Sequence, residues 1–170
     1  MSGFLGAHGY DPGPTQRPLT AGAISGLLAT APAIVLLQLF GSLGVEARIL
    51  GLSVVATIVA GCLVMALAGA VYARLLGRAA NDVRGGWLFG MAYGFALWAA
   101  GAVFVLPIVG NGQLPAGAPA TGVFLSLVLW GGCLGTLLPF VHRRLHLNLD
   151  EPGLAERLGP SLAAQGPPSR

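Results

Sequence analysis

Charged side chains are scarce in this sequence, and lysine is absent. Only 9% of the 170 residues are charged, against about 25% in an ordinary soluble domain. The nine basic residues are all arginines, and they form no patch with interleaved aromatic residues. The scarcity of charge argues against a soluble globular domain, and the absence of a basic patch argues against a nucleic-acid partner.

Groups that could carry chemistry are also few. Cys62 and Cys133 each lie in the middle of an apolar run, and we interpret them as small packing residues rather than a disulfide. No nucleophile, base and acid can be assembled, and no phosphate-binding loop or carboxylate pair is present. The sequence therefore predicts that the protein is not an enzyme and holds no cofactor.

Apolar residues, by contrast, make up 55% of the chain and gather in four runs without interior charge. At about 1.5 Å per residue, a helix of about 20 residues crosses a hydrocarbon core of about 30 Å. We predict an all-α polytopic membrane protein with a transmembrane domain at 19–144, whose spans cover 19–43, 49–75, 85–109 and 119–141. Because the connections between spans are short, we expect a four-transmembrane-helix up-and-down bundle with flexible tails at 1–18 and 145–170.

The arginines are distributed unevenly between the predicted connections. The first connection contains Arg48, and the third contains none. The N-terminal tail, the second connection and the start of the C-terminal tail, which share the other side of the bundle, hold Arg17, Arg74, Arg78, Arg84, Arg143 and Arg144. Since arginine accumulates on the cytoplasmic side, we expect a protein of the bacterial inner (plasma) membrane with both termini in the cytoplasm.

Glycines recur at intervals of four in the predicted spans. Small residues at this spacing let membrane helices approach closely, within one chain or between chains, and we favour the first use. The glycines predicted to pack helices together are Gly22, Gly26, Gly86, Gly90, Gly94, Gly101, Gly131 and Gly135. The triplets Gly61-Cys62-Leu63 and Gly132-Cys133-Leu134 also suggest two related halves, although we favour coincidence.

Two further sets of residues are candidates for binding. Trp98 and Trp130 fall near the predicted midplane, where they would either contact an apolar ligand such as a lipid or quinone, or pack against glycines, which we favour. His142, His146 and Asp150 share the spacing of a helical metal site. We favour a helix end that complements carbonyls and lipid phosphates, and so predict no metal.

The third span contains the pattern G-x3-G-x2-Y-G-x3-W-x8-P-x2-G, which runs from Gly86 to Gly110. In this pattern it resembles the YagU-like family of uncharacterised bacterial inner-membrane proteins. The opening Ala21-Gly22, with Gly26, Ala29-Thr30 and Pro32, is similar as well. The resemblance implies a four-span inner-membrane protein without an established activity, and it transfers no catalytic residue.

Together, these features favour a non-enzymatic membrane protein that acts as an accessory subunit packed against a larger membrane complex. A small transporter or channel formed by a homo-oligomer is one alternative, because prolines lie in three of the spans. A protein that binds a lipid or quinone is another. The expected partners are the lipid bilayer and either a membrane protein or a second copy of the chain.

Overall fold

A computed structural model describes residues 17–80, 85–109 and 112–145, and every regular element in these ranges is helical. Residues 1–16 and 146–170 of the predicted tails, among them His146 and Asp150, lie outside the described residues, whereas Pro18 and Leu145 belong to helices. The elements are α1 (Pro18–Leu39), α2 (Ser42–Leu50), α3 (Val54–Ala80), α4 (Gly86–Trp98), a π-helical segment (Ala99–Val105), α5 (Leu106–Val109) and α6 (Ala118–Leu145).

Four helical stretches are long and apolar enough to cross a membrane. They are α1, α3 as far as Gly77, the continuous stretch Gly86–Val109 formed by α4, the π-helical segment and α5, and finally α6. Their outer faces carry large exposed apolar side chains, including Leu27, Leu63, Phe89 and Phe140. Lipid would cover these side chains. The structure thus confirms the prediction of an all-α membrane protein with four spanning helices.

The first connection differs from its prediction. The sequence predicts a span that ends at residue 43 and a tight connection at 44–48, but α1 ends at Leu39 and residues Ser42–Leu50 form the separate helix α2. Gly41 (φ 66°) and Gly51 (φ 65°) flank α2 in the left-handed conformation, which interrupts the helix on both sides. The second span consequently begins at Val54 rather than at residue 49.

The last helix also differs at its end. α6 continues to Leu145, beyond the predicted limit at residue 141, so that His142, Arg143 and Arg144 belong to its last turn. Basic side chains near the C-terminus of a helix interact favourably with its exposed carbonyl groups. These residues therefore extend the helix instead of stopping it.

Neighbouring helices run antiparallel around a ring in the order α1, α3, α4, α6. Tyr72 and Tyr93 join α3 to α4, since their hydroxyls donate to the carbonyl oxygens of Gly86 (3.1 Å) and Ala68 (2.9 Å). α1 meets α6 where the Trp130 indole N–H donates to the Gly26 carbonyl oxygen at 2.9 Å. α1 packs extensively on α3 and α6, and α4 on α6, whereas α3 meets α4 in fewer places.

Candidate functional site

Backbone contact between glycines joins α1 to α3. A Cβ atom at Gly22 would collide with the carbonyl oxygen of Gly69, and one at Gly26 would lie 2.5 Å from the carbonyl oxygen of Met65. A Cβ at Gly69 would in turn meet the backbone of both α1 glycines. We call this contact the first glycine seam.

A second glycine seam joins α4 to α6. Gly90 and Gly131 face each other so closely that a Cβ on either would collide with the other's carbonyl oxygen. A Cβ at Gly135 would likewise collide with the carbonyl oxygen of Gly86, and one at Gly94 with that of Leu127. Seven of the eight glycines predicted to pack helices therefore lie at these two seams.

Gly101 is the remaining glycine of that set, and its surroundings are different. A Cβ atom there would meet nothing within 4 Å. Gly61 is equally open, whereas a Cβ at Gly132 would approach the Met91 side chain. The similar triplets that start at Gly61 and Gly132 therefore have different surroundings. What the two helix pairs share is a seam of glycines in backbone contact.

A cavity of about 390 Å³ lies at the α2 end of the bundle, enclosed by α2 and all four spans. Along α6 its lining extends from Val123 to Trp130, a depth of about 10 Å at 1.5 Å per residue. Its walls consist of Thr30, Ala33, Ile34, Leu37, Leu43, Glu46, Thr57, Ile58, Gly61, Val64, Met65, Ala68, Leu97, Ala100, Gly101, Val105, Leu106, Val123, Ser126, Leu127 and Trp130.

The cavity faces the lipid between α3 and the π-helical segment. Its exposed lining residues are Val64 on α3 and Ala100 and Val105 on the π-helical segment. The lining residues of α1 and α6 are buried or half-buried, as Ala33 and Val123 illustrate. A π-helical turn widens a helix locally and is frequent at functional sites. Here it forms one wall of the cavity.

An aromatic cluster closes the cavity at its inner end. Trp130 and Tyr72 are fully buried, and the Tyr93 ring lies between them, 6.3 Å from the ring of Trp130 and 5.2 Å from that of Tyr72. Beyond this cluster, α6 contributes the buried Leu134 and Leu138 to a continuous core. In the described part of the bundle, the exposed lining residues therefore lie only on the side between α3 and the π-helical segment.

The two candidate tryptophans occupy separate places. Trp130 forms part of the cavity wall, and its indole N–H is already bonded to Gly26. Trp98 packs against Phe124, with ring centroids 5.0 Å apart, and against Phe95 at 5.7 Å. Of the pair suggested by the sequence, Trp130 is thus the one placed to contact a ligand in the cavity.

Glu46 supplies a carboxyl group to the otherwise apolar wall. It lies on the face of α2 that packs on the bundle, beside the buried Leu43 and Ala47. This burial raises the pKa of Glu46 from 4.5 to about 7. The sequence predicts a tight connection at 44–48 and does not identify Glu46 as a candidate site residue. The signal that could have revealed it is the helical spacing of Leu43, Glu46 and Ala47 between two glycines.

Of the three candidate metal ligands, His142 lies within the described residues, whereas His146 and Asp150 lie outside them. No group of three or more His, Cys, Asp or Glu side chains that could hold a metal ion occurs in the described ranges. His142 is buried in the last turn of α6, far along the helix from the cavity.

Comparison with known proteins adds no relative. No protein-family model matches the sequence, and neither a search of curated proteins nor a search of solved structures found a match. The resemblance to the YagU-like family stays a prediction, and the case for a function depends on the cavity.

Proposed function

We propose that this membrane protein binds a small lipid-like molecule that reaches its cavity from the bilayer. The cavity itself carries the proposal, since it is a largely apolar space of about 390 Å³ inside a membrane-spanning bundle. Ligand pockets commonly have volumes of about 300–1,000 Å³ and mainly apolar walls. The exposed Val64 and Val105 at its lipid-facing side favour entry between α3 and the π-helical segment.

Binding is better supported than conduction through an open channel. A channel needs a continuous path that connects both surfaces, and the aromatic cluster of Trp130, Tyr93 and Tyr72 blocks the inner end of the cavity. An accessory role in a larger membrane complex is compatible with ligand binding, as is the predicted lack of enzymatic activity. Both stay predictions, and recovery of stoichiometric membrane subunits from a mild-detergent pull-down would support the first.

The proposal includes an orientation in the bacterial inner membrane. Antiparallel packing places Arg17 and the last turn of α6, with Arg143 and Arg144, at the same end of the bundle as Arg74. Arg48 lies at the opposite end, on α2. The arginine-rich end is the expected cytoplasmic end, and the cavity would then lie in the half of the bundle that is away from the cytoplasm.

A cavity-filling substitution tests the proposal. Gly61 lines the cavity, and a Cβ there meets nothing within 4 Å, so Gly61→Leu fills the space without moving the backbone. We expect native mass spectrometry of the wild-type protein, released from nanodiscs, to show one retained small molecule per chain. That molecule should be lost from Gly61→Leu.

The matched control is Leu63→Phe, two residues away on the lipid-facing side of α3, where Leu63 is 69% exposed. This variant adds bulk to the same helix but outside the cavity, and it should retain the molecule. Equal retention by Gly61→Leu and Leu63→Phe would count against binding in the cavity.

A further inference from the structure

We propose that the cavity selects a lipophilic cation, whose positive head group binds the carboxylate of Glu46 at the α2 end while its apolar body extends toward Trp130. This inference rests on the proposed function and names the chemical class of the ligand. Two observations support it. One carboxyl group lies in a largely apolar wall, and no described cationic side chain pairs with that group.

The other polar side chains of the wall are already satisfied. The hydroxyl of Thr30 donates to the carbonyl oxygen of Gly26 at 2.8 Å, that of Thr57 to Ser53 at 3.0 Å, and that of Ser126 to Val123 at 2.9 Å. Each acceptor belongs to the same helix as its donor or, in the case of Ser53, directly precedes that helix. These hydroxyls have therefore already used their protons, and Glu46 is the lining side chain that can offer a negative charge to a ligand.

No described cation neutralises Glu46. Arg48, on the same short helix, is exposed and directs its Nε–H to the carbonyl oxygen of Gly44 at 3.3 Å. The described parts of α1, α3, α6 and residues 112–117 that adjoin this end contribute Cys62, beside the cavity wall, and no Lys, Arg, His, Asp or second Glu. The remaining arginines of α1, α3 and α6 lie at the opposite end of the bundle.

A cationic ligand would offset the electrostatic cost of an ionised carboxylate in this largely apolar wall. An ionised carboxylate in apolar surroundings is unfavourable unless an opposite charge accompanies it. Burial accordingly raises the pKa of Glu46 to about 7, so that the group is partly protonated at neutral pH. A bound cation would stabilise the ionised form, and by linkage its affinity should rise with pH through this range.

The dimensions of the cavity fit such a molecule. Its apolar walls extend about 10 Å from Val123 to Trp130, which suits the hydrocarbon part of a compact amphiphile. The aromatic ring of Trp130 at the inner end and the carboxyl group of Glu46 at the outer end set a polarity along that axis. An anionic head group would be repelled by the carboxylate, and an uncharged head group would leave its negative charge without a counter-charge.

The test compares two hydrophobic ions of similar shape and opposite charge, tetraphenylphosphonium and tetraphenylborate. Equilibrium binding to the full chain is measured in nanodiscs of zwitterionic lipid, and the uptake of empty nanodiscs is subtracted. At pH 8.5 we expect the wild type to bind the phosphonium and not the borate. Between pH 8.5 and 5.5 its phosphonium affinity should fall by up to about 30-fold, because the ionised fraction of a group with a pKa of about 7 falls from about 97% to about 3%.

Glu46→Gln keeps the shape of the side chain and removes its charge. It should bind the phosphonium at least 10-fold more weakly than the wild type at pH 8.5, with no dependence on pH. Arg48→Gln, which alters the neighbouring charge on the outer face of α2, should retain the pH dependence. Phosphonium binding that is equal in wild type and Glu46→Gln would overturn the inference, as would affinity that rises toward low pH.

Failure of this inference is distinguishable from failure of the proposed function. If Gly61→Leu loses its retained molecule but Glu46→Gln binds tetraphenylphosphonium like the wild type, the cavity binds a ligand and the cationic head group is wrong. If Gly61→Leu changes neither the retained molecule nor phosphonium binding, both the proposed function and the charge selection are wrong.

Discussion

Glycines have two different environments in this bundle, and spacing in the sequence does not separate them. Gly90 and Gly101 both continue the same run of small residues in the third span, yet Gly90 touches the backbone of α6 and Gly101 borders open space. The difference arises because the third span is held to α6 as far as Gly94 and becomes π-helical from Ala99. Sequence spacing could therefore predict the seams, but it could not predict where they end.

Substitutions at the two kinds of glycine should have opposite effects on stability. In Gly90→Ala the new methyl group collides with the Gly131 carbonyl oxygen and lies about 3 Å from the backbone nitrogen of Gly135. Since rigid backbone opposes it, we expect a loss of about 1–3 kcal/mol in the free energy of unfolding. Denaturation in mixed micelles, followed by circular dichroism, measures this change.

The matched control for that measurement is Gly61→Ala. Its methyl group enters open space in α3, and alanine is the better helix former by up to about 1 kcal/mol. This variant should be as stable as the wild type or more stable. A similar loss in both variants would mean that backbone contact at the second seam does not determine the cost.

At the scale of the element, the sequence predicted the number of long helices but not the helix between the first two. An apolar run that continues through Leu43, Val45 and Ile49 hides the break, and only the conformations of Gly41 and Gly51 show it. The π-helical segment gave no signal either, because its hydrogen bonding depends on how α4 leaves α6. Both elements contribute residues to the cavity wall, so the site was less predictable than the fold.

The left-handed glycine after α2 should be sensitive to substitution. Gly51 has a φ of 65°, a conformation that costs an L-residue about 1–2 kcal/mol. Gly51→Ala should therefore lower the free energy of unfolding by about that amount and disturb the placement of Glu46. Gly44→Ala, on the exposed face of α2 with open space around it, should have little effect. Equal stability of the two variants would contradict a conformational role for Gly51.

At the scale of the whole molecule, the number of spans and the all-α fold followed from elementary properties of the sequence. Length and lack of charge decide whether a helix can cross a bilayer, and glycine spacing favours close antiparallel pairs. The cavity is a property of the assembled ring, since it exists where α3 and the third span diverge beyond the Tyr72 and Tyr93 hydrogen bonds. No single stretch of sequence encodes that divergence. The position of Glu46 in the cavity wall is therefore visible only in the folded bundle.

The stability of the whole bundle should depend on pH through Glu46. The folded protein holds this proton with a pKa of about 7, whereas the unfolded chain has the ordinary value of 4.5. Between these values the folded state binds more protons than the unfolded state, so the free energy of unfolding should fall as pH rises from 4.5 to 7 and level off above that. The full shift corresponds to about 3 kcal/mol, and solvent at the partly exposed carboxyl group reduces our expectation to about 1–2 kcal/mol.

Unfolding curves of wild type and Glu46→Gln at pH 5 and pH 8 measure this dependence. The wild type should be less stable at pH 8 than at pH 5, and Glu46→Gln should lose most of that difference because glutamine carries no charge at either pH. The variant should also be the more stable of the two proteins at pH 8. If both proteins show the same change between pH 5 and pH 8, the carboxyl group of Glu46 is not desolvated in the folded bundle, and the electrostatic reason for a cationic ligand is lost with it.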